Sequence, residues 1–207
     1  NKIWNASRFV LMNLQDFEPQ GLPDASRLSM ADKWILSKFQ ETVRSVTADL
    51  EGFDLGYAAT KLYDFIWSTF CDWYIELAKQ GLHDADESVC RTTKEVLLYV
   101  LTGTLKLLHP YMPFITEEVY GYLPGAEGML ITARWPEVLP EYDFAAEAAR
   151  MEGVMEVIRA VRNLRAEMNV APGRRATLLL KSHEGWKDAL VAAEGYFRRL
   201  AFASAVE

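Results

Sequence analysis

Asn5 and Arg8 lie three residues apart, a spacing that puts both side chains on one edge of a helix, where an amide and a guanidinium offer donors and an acceptor to base edges. The same two residues also suit an ordinary solvated edge. Phe17 stands alone in a polar stretch. A ring so placed either stacks on an unpaired base or folds back as a hydrophobic cap. Arg159, Arg162 and Arg165 recur at three-residue steps, as a row facing phosphates or as a solvated edge with an ion pair to Glu156. Trp34, Trp67, Trp73, Tyr63 and Tyr74 fall at helical spacing, which predicts core rather than a stacking platform. His109 has no carboxylate or nucleophile beside it in the sequence and reads as a structural histidine at a helix end. The loop His83-Asp-Ala-Asp-Glu87 is too short and lacks the glycine turn for a calcium site. Cys71 and Cys90 show no metal-ligand spacing and are expected as buried reduced thiols. No Gly-rich phosphate loop, Glu-x-x-His pair or nucleophile motif occurs.

Half of the 207 residues are hydrophobic and 12% aromatic, enough for a packed core, and no apolar run is long enough to span a bilayer. The N-terminus is neither a start Met nor a signal peptide, so a cytoplasmic, soluble piece of something longer is expected. The net charge of -7 is unevenly spread. Residues 1–149 carry 12 basic against 22 acidic side chains, and residues 150–207 carry 10 against 7. An acidic average does not exclude RNA, because unstacked bases are read by local contacts rather than by total charge.

The elements that must position these residues are mostly helices. Ile3, Ala6, Val10 and Leu14, joined by Trp4 and Leu11, predict a helix over 1–14 with that side buried and Asn5, Arg8 and Met12 beside it. A polar connector with Pro19, Gly21 and Pro23 follows. Ser29 and Asp32 have capping-box spacing for a second helix, whose stripe is Trp34, Ile35, Phe39, Val43, Val46 and Leu50, ending at Gly52. Asp54 starts a third, expected to be the most buried, with Ala58, Leu62, Phe65, Ile66, Phe70, Trp73, Tyr74 and Leu77 inward and Gly81 as terminator. Ser88 caps a fourth, which His109-Pro110 stops. Pro113 opens a short fifth, where Glu117 and Glu118 complement the helix dipole. Residues 124–136 read as an irregular crossing with a short extended piece. A long helix over about 144–168 carries a seam of Val154, Ile158, Val161, Leu164 and Met168, and residues 169–173 turn. Residues 176–181 read as a strand whose partner is 203–207, an earlier segment, or sequence beyond residue 207. Helical segments fall between, at 186–193 and 196–202. The fold class expected is mainly α, a helical bundle over 1–140 followed by a long helix and a small α/β subdomain over 141–207.

The opening helix, Asp32-Lys-Trp-Ile-Leu-Ser37, Tyr63-Asp-Phe-Ile-Trp67, Phe70-Cys-Asp-Trp-Tyr74, His109-Pro-Tyr-Met-Pro-Phe-Ile-Thr-Glu-Glu118 and Arg162-Asn-Leu-Arg-Ala-Glu-Met-Asn-Val-Ala-Pro172 occur in one order along nearly the whole chain. Together they resemble the anticodon-binding domain of bacterial valyl-tRNA synthetases, within the class I aminoacyl-tRNA synthetases. The His-Pro-aromatic-Met-Pro-Phe segment is shared by the valyl, isoleucyl and leucyl branches, whereas the opening helix and the Arg162 segment look valyl. The resemblance implies a helical bundle that binds the anticodon stem-loop of valine tRNA, then a small subdomain, and in bacterial members a coiled-coil arm before which this chain stops. It further implies a monomeric parent with catalytic and editing domains in cis, no membrane partner, ATP used in the catalytic domain and no cofactor here. The class signatures His-x-Gly-His and Lys-Met-Ser-Lys-Ser are absent, so this piece is expected to bind tRNA without activating an amino acid. Its expected contacts are Asn5, Arg8, Phe17, Arg159, Arg162 and Arg165, with no catalytic or metal site. The alternatives are the equivalent isoleucyl or leucyl domain, against which the missing C-terminal Cys pattern argues, and a helical protein-interaction scaffold.

Overall fold

Buried apolar stripes on successive helices set the architecture. The computed structural model describes residues 1–171, 173–182 and 185–207, and divides into a unit of residues 1–145 and a unit of residues 146–207. Pro172, in the turn expected at 169–173, lies outside the described residues.

In the first unit, α1 (Lys2–Asn13) buries Ile3, Ala6, Ser7 and Val10. Trp4, expected on the buried side, is instead 44% exposed, and Leu11 is only half-buried. At about 100° per residue both fall roughly a quarter-turn from Ile3, on the flank beside Arg8. The capping box forms as expected at the start of α2 (Met30–Glu51): Asp32 N–H donates to Ser29 Oγ at 3.1 Å, and Asp32 Oδ2 accepts from Ser29 N–H at 3.1 Å. Gly52 closes that helix with φ -80, and the left-handed position falls on Phe53 at φ +59.

The third helix runs without a break in sequence but changes winding, from α3 (Leu55–Asp64) through a π segment (Phe65–Tyr74) to α4 (Ile75–Leu82). Its i→i+5 bonds put more residues in each turn, so the inner face drifts from the regular helical stripe. Phe65, Ile66, Phe70 and Tyr74 still face inward. Tyr63 and Trp67 do not, which corrects the core reading: they are 55% and 38% exposed and stack on each other with centroids 4.9 Å apart. Gly81 also has a different role. A Cβ there would stand 2.1 Å from Thr93 Oγ1, so the glycine permits α4 to approach α5, and α4 runs on to Leu82.

α5 (Glu87–Leu108), rather than the third helix, is the central element, burying an almost unbroken series from Val96 to Leu108. Its cap is Asp86, whose carboxylate accepts from Ser88 N–H at 2.8 Å, rather than Ser88. Gly103 lies against Phe39, where a Cβ would come within 2.2 Å of the ring. α6 (Pro113–Tyr120) starts on its proline as expected. Glu117 is structural for a reason other than the dipole: it accepts from Leu130 N–H at 2.8 Å and Ile131 N–H at 3.3 Å, fixing a 3-10 turn (Leu130–Thr132) where an extended piece was expected. Glu118 accepts from the Tyr122 hydroxyl at 3.1 Å. His109 is a structural helix-end residue, its Nδ1 2.8 Å from Thr116 Oγ1.

In the second unit, α7 (Ala145–Glu167) buries Ala148, Met151, Val154, Met155 and Ile158. The seam ends there, with Leu164 and Met168 exposed. Trp186 rests on the notch at Gly153, where a Cβ would be 2.2 Å from its ring. β1 (Ala176–Leu178) pairs in parallel with β2 (Ala203–Val206), with Ala176 opposite Ala203 and Leu178 opposite Val206. Of the partners left open by the sequence, the segment after α8 (Lys187–Ala192) and α9 (Glu194–Leu200) is the one used. A mainly α fold with a small α/β part is what the chain adopts.

Candidate nucleic-acid interface

The outer edge of α1 presents Trp4, Asn5, Arg8 and Met12, all exposed. Among the described residues, neither the Asn5 amide nor the Arg8 guanidinium makes a side-chain hydrogen bond or ion pair, so their full bonding capacity faces outward. Burial of Ile3, Ala6 and Val10 on the opposite side prevents this edge from turning inward.

Phe17 follows α1 by one turn, its N–H bonded to Leu14 C=O at 3.2 Å. It is half-buried, between the two roles the sequence left open. Arg91 and Lys94 of α5 stand over its ring, with the guanidinium carbon 5.3 Å and the ammonium 5.8 Å from the centroid. Arg91 donates to Glu18 C=O at 2.7 Å, and the buried Glu95 accepts from Gln20 N–H at 2.6 Å, so one helix holds the connector on both sides of Pro19. A recess of about 650 Å³ opens beside the ring, lined by Gln15, Asp16, Phe17 and the exposed Tyr122 among others. An aromatic ring, adjacent cations and polar groups at the rim are the components for holding an unstacked base.

The sequence reading did not single out Arg91 or Lys94, and it assigned Trp4, Tyr63 and Trp67 to the core. The three-residue step from Arg91 to Lys94 was a usable sign, though nothing local tied it to a ring 74 residues earlier. The stacked pair carries its own cation, with Lys2 Nζ 4.6 Å from the Trp67 ring and 2.6 Å from Asp72 Oδ1. Cys71, on the same stretch, is half-buried rather than buried, and desolvation pushes its thiol up to about 11 despite Lys2. Cys90 is also free and half-buried. The described residues contain no group of three or more His, Cys, Asp and Glu side chains placed to hold a metal, and no helix among them is long and apolar enough to cross a membrane.

The arginine row of α7 is built differently. Arg159 pairs with Glu156 at 2.5 Å. Arg162 Nε donates to Leu200 C=O at 2.7 Å, at the open end of α9. Arg165 donates to Ala171 C=O at 3.2 Å and Arg174 C=O at 2.5 Å, with its guanidinium carbon 5.5 Å from the Phe202 ring. Arg175 and Arg198 add bonds to the carbonyls of Ala203 and Ser204. Four arginines of this unit, Arg162, Arg165, Arg175 and Arg198, thus donate to backbone carbonyls of turns and element ends.

A family model described as the anticodon-binding domain of tRNA ligase matches residues 32–180. The chain is 45% identical over 207 residues, its full length, to the valine–tRNA ligase of Clostridium tetani, covering 23% of that protein. It is 44% identical over 206 residues to the valine–tRNA ligase of Clostridium acetobutylicum, again covering 23% of the relative. Against that of Bacillus subtilis the identity is 44% over 182 residues, 88% of this chain and 21% of the relative. The chain therefore spans less than a quarter of the length of these relatives. α1 and the connector lie ahead of the family match but within the full-length similarity to the clostridial proteins.

Proposed function

The chain belongs to the family of anticodon-binding domains of tRNA ligases, and from that premise we propose that it is the tRNA-reading portion of a valine–tRNA ligase. Supporting the valine assignment is the 45% identity over the whole chain to a valine–tRNA ligase. The parent joins valine to its tRNA with ATP, in catalytic and editing domains elsewhere in the longer protein. It works as a cytoplasmic monomer, and this portion activates no amino acid by itself.

The observation that carries the site is the open bonding capacity of Asn5 and Arg8 on the helix that ends one turn before a cation-flanked ring at Phe17. In this reading Asn5 and Arg8 hydrogen-bond base edges or the adjoining phosphate, and Phe17 stacks on a base splayed from the anticodon loop. Arg91 and Lys94 add positive potential behind the ring, which matters in a region of net negative charge. Arg159, Arg162 and Arg165 supply backbone contacts of lower weight, since carbonyls and Glu156 already engage them.

The test is binding of the chain to matched transcripts of valine tRNA and an anticodon-altered variant across a salt series. Preference for the native anticodon supports the reading. Equal, strongly salt-dependent binding restricts the chain to backbone contacts. A folded sample that binds neither transcript at low salt sinks the reading and returns the scaffold alternative.

A further inference from the structure

A cavity of about 490 Å³ lies within the N-terminal unit, its lining including the half-buried Tyr99, Trp135 and Lys106 and the exposed Arg134. Its size falls in the range of small-ligand sites. Both rings are held in place: Tyr99 meets Phe39 edge-on at 5.5 Å and its hydroxyl accepts from Gln40 Nε2 at 3.4 Å, while Trp135 Nε1 donates to Thr47 Oγ1 at 2.8 Å. Elsewhere in this unit Lys2, Lys38, Arg44, Lys61, Lys79 and Arg91 have carboxylate partners. Lys106 and Arg134 make neither a hydrogen bond nor an ion pair among the described residues. Two carboxylates also line the cavity. Glu95 is already engaged by Gln20 N–H and Arg91, which leaves Glu137 facing two uncommitted cations. Two aromatic rings and two uncommitted cations in one lining suit an aromatic anion, even in a unit of net negative charge.

The cavity shares Leu123 and Pro124 with the recess that Phe17 lines, so the two adjoin at these residues. We propose that this cavity takes one unstacked nucleotide, its phosphate between Lys106 and Arg134 and its base against Tyr99 and Trp135, adjacent to the base held at Phe17. As a site for a tRNA nucleotide it rests on the tRNA-reading function above, whereas a free nucleotide would present the same chemistry.

The experiment titrates the chain with UMP, uridine and inorganic phosphate by calorimetry, and with the valine tRNA transcript across salt, for the native sequence, Lys106→Gln/Arg134→Gln and Phe17→Ala. UMP is expected to bind about tenfold more tightly than phosphate or uridine alone, and the double variant to lose that advantage. The double variant should also lower the slope of log affinity for tRNA against log salt by about 0.7, one single-strand phosphate. Loss of UMP binding with an unchanged tRNA slope assigns the site to free nucleotide. UMP binding no tighter than phosphate, or equal in the double variant, overturns the proposal. Phe17→Ala should retain UMP binding. A chain that binds UMP but not tRNA sinks the tRNA reading and leaves this site standing.

Discussion

In α1 the Asn5 amide and Arg8 guanidinium lie on the exposed edge with no side-chain partner among the described residues, whereas in α7 Arg162 and Arg165 donate to backbone carbonyls of a helix end and a turn in their own unit. Both regions place cations or amides at three-residue steps on a helix edge, and local periodicity treats them alike. The difference lies in what each helix meets. Within its own unit α1 is packed on the side of Ile3, Ala6 and Val10, and its other edge keeps its bonding capacity among the described residues. α7 is followed by a turn, a short strand pair and two short helices, whose unsatisfied carbonyls supply acceptors for its arginines. A basic row next to irregular structure is therefore weaker grounds for a nucleic-acid site than a sparser polar edge with no acceptor bonded to it among the described residues.

The sharpest break of this comparison is Phe17→Ala. It should weaken binding of the valine tRNA transcript by about 1–3 kcal/mol, the loss of one stacked base, while the unfolding transition stays within error of the native one. Equal affinity in a folded variant would show that the ring only caps α5. Next in size is Arg162→Ala, expected to lower the unfolding free energy by about 1–2 kcal/mol through the orphaned Leu200 carbonyl, without changing the preference for the native anticodon. If stability is unaffected and tRNA binding drops, the assignments of the two regions must be exchanged. Smaller still, Arg8→Gln should reduce the salt slope of tRNA binding by about 0.7 if that guanidinium holds a phosphate, and Arg159→Gln should reduce it by less because Glu156 already pairs with Arg159.

The smallest effect concerns the frame behind α1. Asp32 is buried, and desolvation raises its carboxyl above the ordinary value even though Ser29 and the Tyr74 hydroxyl donate to it. A raised folded-state value means that the protonated form favours folding at low pH, and that this contribution is lost as pH rises through the folded value. The stability of Asp32→Asn relative to the native chain should therefore improve between about pH 4 and neutrality, read from paired denaturant melts. A gap that widens with pH would show that the hydrogen bonds outweigh desolvation.

Much of the frame was legible because it is local. Ser29 and Asp32 cap α2 three residues apart, Pro113 starts α6, and the stripe from Ile35 to Val46 is buried as its spacing predicts. Misreadings arose where a long-range contact or altered winding decided. The π segment from Phe65 to Tyr74 leaves Trp67 outward in a stack with Tyr63, and no helical template of fixed period contains that shift. Gly81 and Gly103 were opaque because their reasons, Thr93 and Phe39, lie elsewhere in the chain. Of the proposed site, Asn5, Arg8 and Phe17 stand out in the sequence as residues out of keeping with an apolar stripe, whereas the placing of Arg91 and Lys94 at the Phe17 ring depends on how α5 lies against the connector.

The sequence by itself determined which segments are helices, where several are capped, that the chain is mainly α, and, through ordered motifs along its length, the family to which it belongs. Those properties follow from interactions spanning a few residues and from side-chain pattern. Only the tertiary structure decided which polar groups remain free. The acceptors that engage Arg162 and Arg165, the cations that flank Phe17 and the rings behind Lys106 all come from residues distant in sequence, and their proximity is set by how the buried faces fit together.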